Sequence, residues 1–184
     1  MKKSIVLIIQ TVVFLLTTAL ASCGSEQTKN SRLPEIQKEI KTMTRERELI
    51  ERYRHEGQGY DPFLIAPKWQ VAQLNYMPQL SLDGITKVDI HFKTDEVFIL
   101  LKGTAVLIAA DKDGDELDFK AQLMKPGVTY NIPLKTWHNI AMTADAEVII
   151  VEDANTHLGD YEFYYFSDEQ KKVLDNLIAN AIKE

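Results

Sequence analysis

The most informative segment of the chain reads Asp89-Ile90-His91-Phe92-Lys93-Thr94-Asp95-Glu96, and it is joined much later by a second histidine, His138. Side chains two residues apart in a strand point to the same face, so Asp89 and His91 share one face. A turn at Lys93 to Asp95 brings Glu96 back beside them. His138 must arrive from another strand. Two imidazoles and one or two carboxylates that converge in this way suit a divalent first-row metal.

A β-rich region surrounds this segment. Short apolar runs separated by turns follow one another at Trp69 to Tyr76, Thr86 to His91, Val97 to Leu101, Thr104 to Ala110, Leu117 to Met124, Val128 to Ile132 and Ala146 to Val151. Such spacing predicts an all-β sandwich or barrel. Asp113-Gly114 is a hairpin signal, and the aromatic run from Asp160 to Phe166 predicts an edge strand or a cover over the core.

Two motifs in this region resemble those of the cupin superfamily. The first, G(x)5HxH(x)3-4E(x)6G, is matched at its second histidine, its acid and its closing glycine by His91, Glu96 and Gly103. The second, G(x)5PxG(x)2H(x)3N, is matched by Gly127, Pro133 and His138. The segment from Thr94 to Phe98 also looks like that of small single-domain cupins. The resemblance covers about Trp69 to Glu152 and implies a double-stranded β-helix of jelly-roll type.

The chain departs from these motifs at four positions. Asp89 replaces the first histidine, Gly84 is one residue too close, Lys135 replaces a glycine and Met142 replaces the asparagine. What remains, His91, Glu96 and His138, is a two-histidine, one-carboxylate set for a divalent transition metal such as iron, manganese, zinc or nickel. Asp89 is a fourth ligand, a partner that orients His91, or a catalytic base.

A metal-free barrel is the alternative, because many cupin-like barrels hold no ion and a strand histidine is often a hydrogen-bonded core residue. A carboxylate buried without a partner costs several kcal/mol, however, so Asp89 and Glu96 facing one interior favour a cation there. His55 and His157 lie in polar segments and are predicted to be solvated. Trp69, Tyr76, Tyr130 and Trp137 either line a pocket or belong to the core.

The N-terminus predicts export. Residues 1–22 have two lysines and an apolar run, and they form a signal peptide. Leu20-Ala21-Ser22-Cys23 resembles the lipobox of bacterial lipoproteins, which implies acylation of Cys23 and a membrane anchor. An ordinary signal peptide or a retained anchor helix is the alternative. Either reading places the protein in the cell envelope, facing the periplasm or the exterior.

The remaining boundaries follow from local signals. Residues 23–30 form a tether, 31–56 an amphipathic helix, 60–166 the barrel and 167–184 a C-terminal helix that starts with a capping box, S-x-x-Q, at Ser167 to Gln170. Two amphipathic helices make a homodimer plausible.

Composition excludes several classes of function. A formal net charge of -6 over 184 residues is unfavourable for nucleic-acid binding. The single cysteine excludes an internal disulfide framework, and no phosphate-binding glycine loop, G-x-S-x-G turn or dinucleotide fingerprint is found. The sequence predicts a metal-dependent enzyme acting on a small organic molecule; the alternative is a non-catalytic module that binds a sugar or other metabolite.

Overall fold

The computed structural model describes residues 49–183. The predicted signal peptide, Cys23, the tether and residues 31–48 of the predicted N-terminal helix lie outside the described residues. The strands, the helix and the cavity described below belong to one structural unit, Arg52–Glu184.

The described chain is built mainly from β-strands. They are β1 (Gly59–Ile65), β2 (Trp69–Asn75), β3 (Lys87–Ile90), β4 (Glu96–Lys102), β5 (Ala105–Asp113), β6 (Glu116–Leu123), β7 (Thr129–Ile132), β8 (Trp137–Met142), β9 (Glu147–Asp153) and β10 (Glu162–Tyr165). Short 3-10 turns cover Pro78–Leu80 and Thr156–Leu158, and helix α1 covers Asp168–Ala181.

The strands form two antiparallel sheets. Sheet 1 has the order β1-β2-β9-β4-β7, and sheet 2 has the order β10-β3-β8-β5-β6. Between β2 and β9 the chain passes repeatedly from one sheet to the other. As a result, sheet 1 contains β2-β9-β4-β7 and sheet 2 contains β3-β8-β5-β6, which is the strand order of a jelly roll. β1 and β10 extend the two edges. The all-β jelly-roll prediction is therefore confirmed.

The hydrophobic core has two layers, one on each face of sheet 2. The inner layer packs between the sheets and includes Phe98, Leu107 and Ile140. The outer layer includes Val106 and Ile108 of β5, which pack with Leu174 and Ile178 of α1. Because alternate residues of β5 are buried on opposite faces, its first four residues are all buried and apolar.

Helix α1 is held at its start by the predicted capping box. Ser167 accepts a hydrogen bond from the backbone N–H of Gln170, and the Gln170 side chain accepts from the Ser167 N–H. Leu174, Ile178 and Ala181 are buried against sheet 2. The helix thus covers the outer face of a sheet that would otherwise expose apolar side chains.

One residue in each of the two cupin-like motifs, Gly103 and Lys135, has a positive φ angle. Gly103 has φ +74, and a Cβ there would lie 2.5 Å from Ala146 Cα, so only glycine fits. Lys135, at the place of a motif glycine, has φ 63 and adopts the left-handed conformation that glycine favours. The turn before His138 is therefore retained despite the substitution.

The predicted N-terminal helix does not extend to residue 56. Residues 49–56 carry no helix. The backbone N–H of His55 donates to Gln73 Oε1, and its carbonyl accepts from the amides of Gln73 and Asn75. These bonds tie the segment to β2, and this tertiary pairing overrides the local helical pattern.

Candidate metal centre

A cavity of about 280 Å³ opens between the two sheets at one end of the barrel. Its polar lining consists of Tyr60, Asp89, His91, Glu96, His138, Asn139, Glu152, His157 and Tyr161. The predicted site residues Asp89, His91, Glu96 and His138 are all among them.

Both sheets contribute to this site. Asp89 of β3 and His138 of β8 are direct cross-strand partners in sheet 2, so their side chains are neighbours on one face. His91 follows the end of β3, and a bend at residues 92–93 carries the chain to Glu96, the first residue of β4 in sheet 1. The predicted turn thus brings Glu96 back over His91.

One carboxylate oxygen lies between the two imidazoles. Glu96 Oε2 is 2.6 Å from His138 Nε2 and 3.1 Å from His91 Nε2. Asp89 Oδ2 is 3.9 Å from His91 Nε2. We call His91, Glu96 and His138 the Glu96 cluster. His91 is 7% exposed, Glu96 6% and His138 3%, so water screens the electrostatic interactions among these three side chains only weakly.

Backbone carbonyls fix the orientation of both rings. His91 Nδ1 is 2.5 Å from the carbonyl oxygen of Asp160, and His138 Nδ1 is 2.9 Å from that of Thr136. A carbonyl only accepts, so both Nδ1 atoms carry a proton and donate it. The Nε2 atoms therefore face Glu96. A metal-binding histidine is held in the same way, with its second ring nitrogen donating to a neighbouring acceptor.

The cluster sets the protonation of its own members. Burial alone would lower the pKa of His91, but hydrogen bonding and attraction to Glu96 outweigh it and raise that pKa to about 9. The same contest raises the pKa of His138. Burial would raise the pKa of Glu96, but the two imidazoles lower it to about 2. Without an ion, the Glu96 carboxylate therefore favours the protonated form of both imidazoles.

Two further carboxylates approach this cluster. Burial raises the pKa of Asp89, with His138 acting in the opposite direction. Ligand atoms of Asp89, His91 and His138 lie within 4.8 Å of one another, and so do ligand atoms of His91, Glu96 and Glu152. Glu152 was not predicted as a site residue.

The surroundings of the cluster bear on two further sequence predictions. His157, predicted to be solvated, is partly buried and lines the cavity, and its Nδ1 is 3.2 Å from Gln70 Nε2. For the four aromatic residues the core alternative is the better one, since none lines the cavity and three pack against the core layers: Tyr76, Tyr130 and Trp137. The aromatic lining comes instead from Tyr60, Phe98, Tyr161 and Phe163.

Glu152 had a detectable signal in the sequence. Val148 and Ile150 of β9 are buried in the inner core layer, so strict alternation places residue 152 on the same inward face. The predicted apolar run stopped at Val151, one residue before it. His157 and Tyr60 had no comparable signal, since they reach the cavity from a 3-10 turn and from a strand that the sequence did not indicate.

Comparison with known proteins finds similarity only at the level of structure. No protein-family model matches the chain, and no curated protein matches it. Among solved structures, an RmlC-like cupin from Methanocaldococcus jannaschii is 14% identical over 59% of this chain and 92% of that chain, with a TM-score of 0.41. An oxalate oxidase is 12% identical over 62% and 64%, with a TM-score of 0.38.

A third similar structure is Streptomyces PAC13 with uridine, which is 10% identical over 66% of this chain and 98% of that chain, with a TM-score of 0.42. The strand order, with β2-β9-β4-β7 in one sheet and β3-β8-β5-β6 in the other, identifies the barrel as a jelly roll independently of these comparisons. Among the described residues, no helix is long and apolar enough to span a membrane.

Proposed function

We propose that this protein is a metal-binding cupin in which His91, Glu96 and His138 hold a divalent transition metal next to a small organic molecule in the cavity. The observation that carries the proposal is the convergence of two buried Nε2 atoms on one carboxylate oxygen, at 2.6 and 3.1 Å. Both nitrogens are directed there by Nδ1–H bonds to backbone carbonyls.

The donor set fits such an ion in charge and spacing. Two neutral imidazoles and one carboxylate suit iron, manganese, zinc or nickel. Two ligand atoms that each lie about 2.1 Å from a metal, with a right angle between their bonds to it, are about 3 Å apart. This distance is close to the 2.6 and 3.1 Å between Glu96 Oε2 and the two Nε2 atoms. A divalent ion would also take the place of the Nε2 protons that Glu96 stabilises, so it would supply the positive charge that this carboxylate already favours.

A bound metal at this place would supply a Lewis acid or an oxygen-activating centre. Asp89 is the residue suited to move a proton. Its side chain is 28% exposed, so it is open to the cavity mouth. Burial raises its pKa, and a carboxyl group with a raised pKa is a better proton acceptor near neutral pH than an ordinary aspartate.

A non-catalytic binding module is the second candidate, and one observation favours it. In the metal-free protein Glu96 already contacts both imidazoles, at 2.6 and 3.1 Å, so its buried negative charge has partners without an ion. In that case the cavity would hold a sugar or another metabolite, and the cluster would be a structural element.

Elemental analysis separates the two. We expect about one transition-metal ion per chain in protein purified without chelator, and none in the His91→Ala/His138→Ala double variant. His55→Ala is the matched control, because His55 contacts Gln58 and Asp61 and is not a cavity residue. Absence of metal from the parent protein under these conditions, and after incubation with manganese, iron, zinc or nickel, would reject the metal proposal.

We also propose that the barrel is tethered to a membrane of the cell envelope by acylation of Cys23. The lipobox-like tetrad and the apolar run before it support this. Labelling of growing cells with a palmitate analogue tests it: the parent should incorporate label and Cys23→Ala should not.

Homodimerisation is a separate proposal. Sedimentation that shows a monomer at high protein concentration would reject it.

A further inference from the structure

Glu152 is buried in the same cavity but lies outside the ligand set predicted from the sequence. It is 6% exposed and stands near the end of β9. A carboxylate oxygen of Glu152, a ring nitrogen of His91 and a carboxylate oxygen of Glu96 all lie within 4.8 Å of one another. Ligand atoms on opposite sides of one ion are about 4.2 Å apart, so small side-chain adjustments would let these three share it.

Two oriented donors hold one oxygen of Glu152. The Tyr60 hydroxyl donates to Oε1 at 2.5 Å, and Gln70 Nε2 donates to the same atom at 2.9 Å. The Gln70 amide cannot be reversed, because its own oxygen accepts the Asn155 backbone N–H at 2.7 Å. Burial raises the pKa of Tyr60, so its hydroxyl keeps its proton and remains a donor.

The other oxygen of Glu152 is left without a partner. Oε2 is buried and makes no hydrogen bond in the part of the chain that the structure describes. An unsatisfied buried polar atom costs about 1–3 kcal/mol, and more when it is charged. A carboxylate with one oxygen held by outer hydrogen bonds and the other directed to an ion is a common arrangement of metal ligands.

We propose that Glu152 binds the metal of the Glu96 cluster through Oε2, and that Tyr60 and Gln70 are its positioning residues. This inference rests on the proposed metal site and completes it. Two imidazoles and two carboxylates, drawn from both sheets, replace the three-histidine, one-glutamate set of the family motif. Asp89, which lines the same cavity, is then not required as a ligand and would face a molecule bound there.

Cobalt(II) titration of the chelator-treated protein tests the inference, with affinity and the visible absorption spectrum as readouts. The spectrum reports the number and geometry of ligands and needs no catalytic activity. The variants are Glu152→Gln, which keeps the size of the side chain, and Tyr60→Phe, which removes one donor. Asp153→Asn is the control, an exposed acid next to Glu152 on the same strand.

We expect Glu152→Gln to weaken cobalt binding by at least about 10-fold and to change the spectrum, and Tyr60→Phe to weaken it less. Asp153→Asn should match the parent. An unchanged affinity and spectrum in Glu152→Gln would overturn this inference but leave the metal site intact. A parent that binds no cobalt would overturn both. If Glu152→Gln does not fold, Glu152→Asp must still alter the spectrum, and an unaltered one counts against the proposal.

Discussion

Two buried glutamates in sheet 1 face the same cavity, and their pKa values are shifted in opposite directions. Glu96 and Glu152 are each 6% exposed. Glu96 contacts two imidazoles, which lower its pKa to about 2. Glu152 contacts a phenol and an amide; burial and the nearby Glu96 raise its pKa. Equal burial therefore does not determine the charge of a carboxyl group. Its partners do.

The comparison also separates two ways of building a site. The Glu96 cluster is complete in itself, since each Nε2 faces the carboxylate and each Nδ1 has a carbonyl partner. The group around Glu152 is incomplete, because the buried Oε2 has no partner among the described residues. An ion shared between the two regions would satisfy both.

The largest expected difference is in stability. Glu96→Gln in the metal-free protein at pH 6 should lower the free energy of unfolding by about 3–5 kcal/mol, because it leaves two buried imidazoles without their counter-charge. Glu152→Gln should lower it by about 1 kcal/mol or less, since the amide oxygen still accepts from Tyr60. Urea unfolding followed by circular dichroism measures both values. Equal losses would break the comparison.

Rising pH should lower the stability of the metal-free protein and increase the stabilisation that a bound metal adds. A histidine whose pKa rises from 6.5 to about 9 on folding contributes stability below pH 6.5 and loses it as the pH rises through 9. The chelator-treated protein should therefore lose roughly 1–3 kcal/mol between pH 6.5 and 9. The stabilisation added by manganese should grow over the same interval, because fewer protons compete for Nε2.

Thermal unfolding in chelator and in excess manganese at several pH values measures these trends. In chelator, the His91→Gln variant should lose much less stability between pH 6.5 and 9 than the parent protein does. A metal-free protein that became more stable between pH 6.5 and 9 would show that the imidazoles are neutral, and the contrast between the two glutamates would then lose its cause.

A smaller effect is expected at Lys135, in the turn before His138. Its backbone φ of 63 is costly for a residue with a side chain, so Lys135→Gly should stabilise the protein by about 1 kcal/mol. The Lys135 N–H donates to the His91 carbonyl at 2.7 Å, a bond that glycine retains. Metal affinity should not change. Destabilisation in urea unfolding would show that the Lys135 side chain has a structural role.

The sequence predicted the fold better than the borders of its elements. Alternating apolar runs indicated seven of the ten strands found in the described chain. β8 was missed because His138 and Asn139 interrupt its apolar pattern, yet the spacing of the second motif still identified His138. The Asp113-Gly114 hairpin is present, with Asp113 and Glu116 paired across its turn.

The site was predictable in part. The motif spacing identified His91, Glu96 and His138, and strand alternation added Asp89. The pairing of His55 with Gln73, the Tyr60 and Gln70 bonds to Glu152, and the approach of His157 depend on contacts across 18 to 92 positions of the chain. Local pattern carries no information about such contacts.

Proton release on metal binding tests the central claim most directly. Calorimetric titration of manganese at pH 7 in two buffers of different ionisation enthalpy counts the protons displaced. Because Glu96 raises the pKa of both imidazoles, we expect metal binding to release protons, and we expect no proton release from the His91→Ala/His138→Ala variant. Binding without proton release, or no binding at all, would contradict the account.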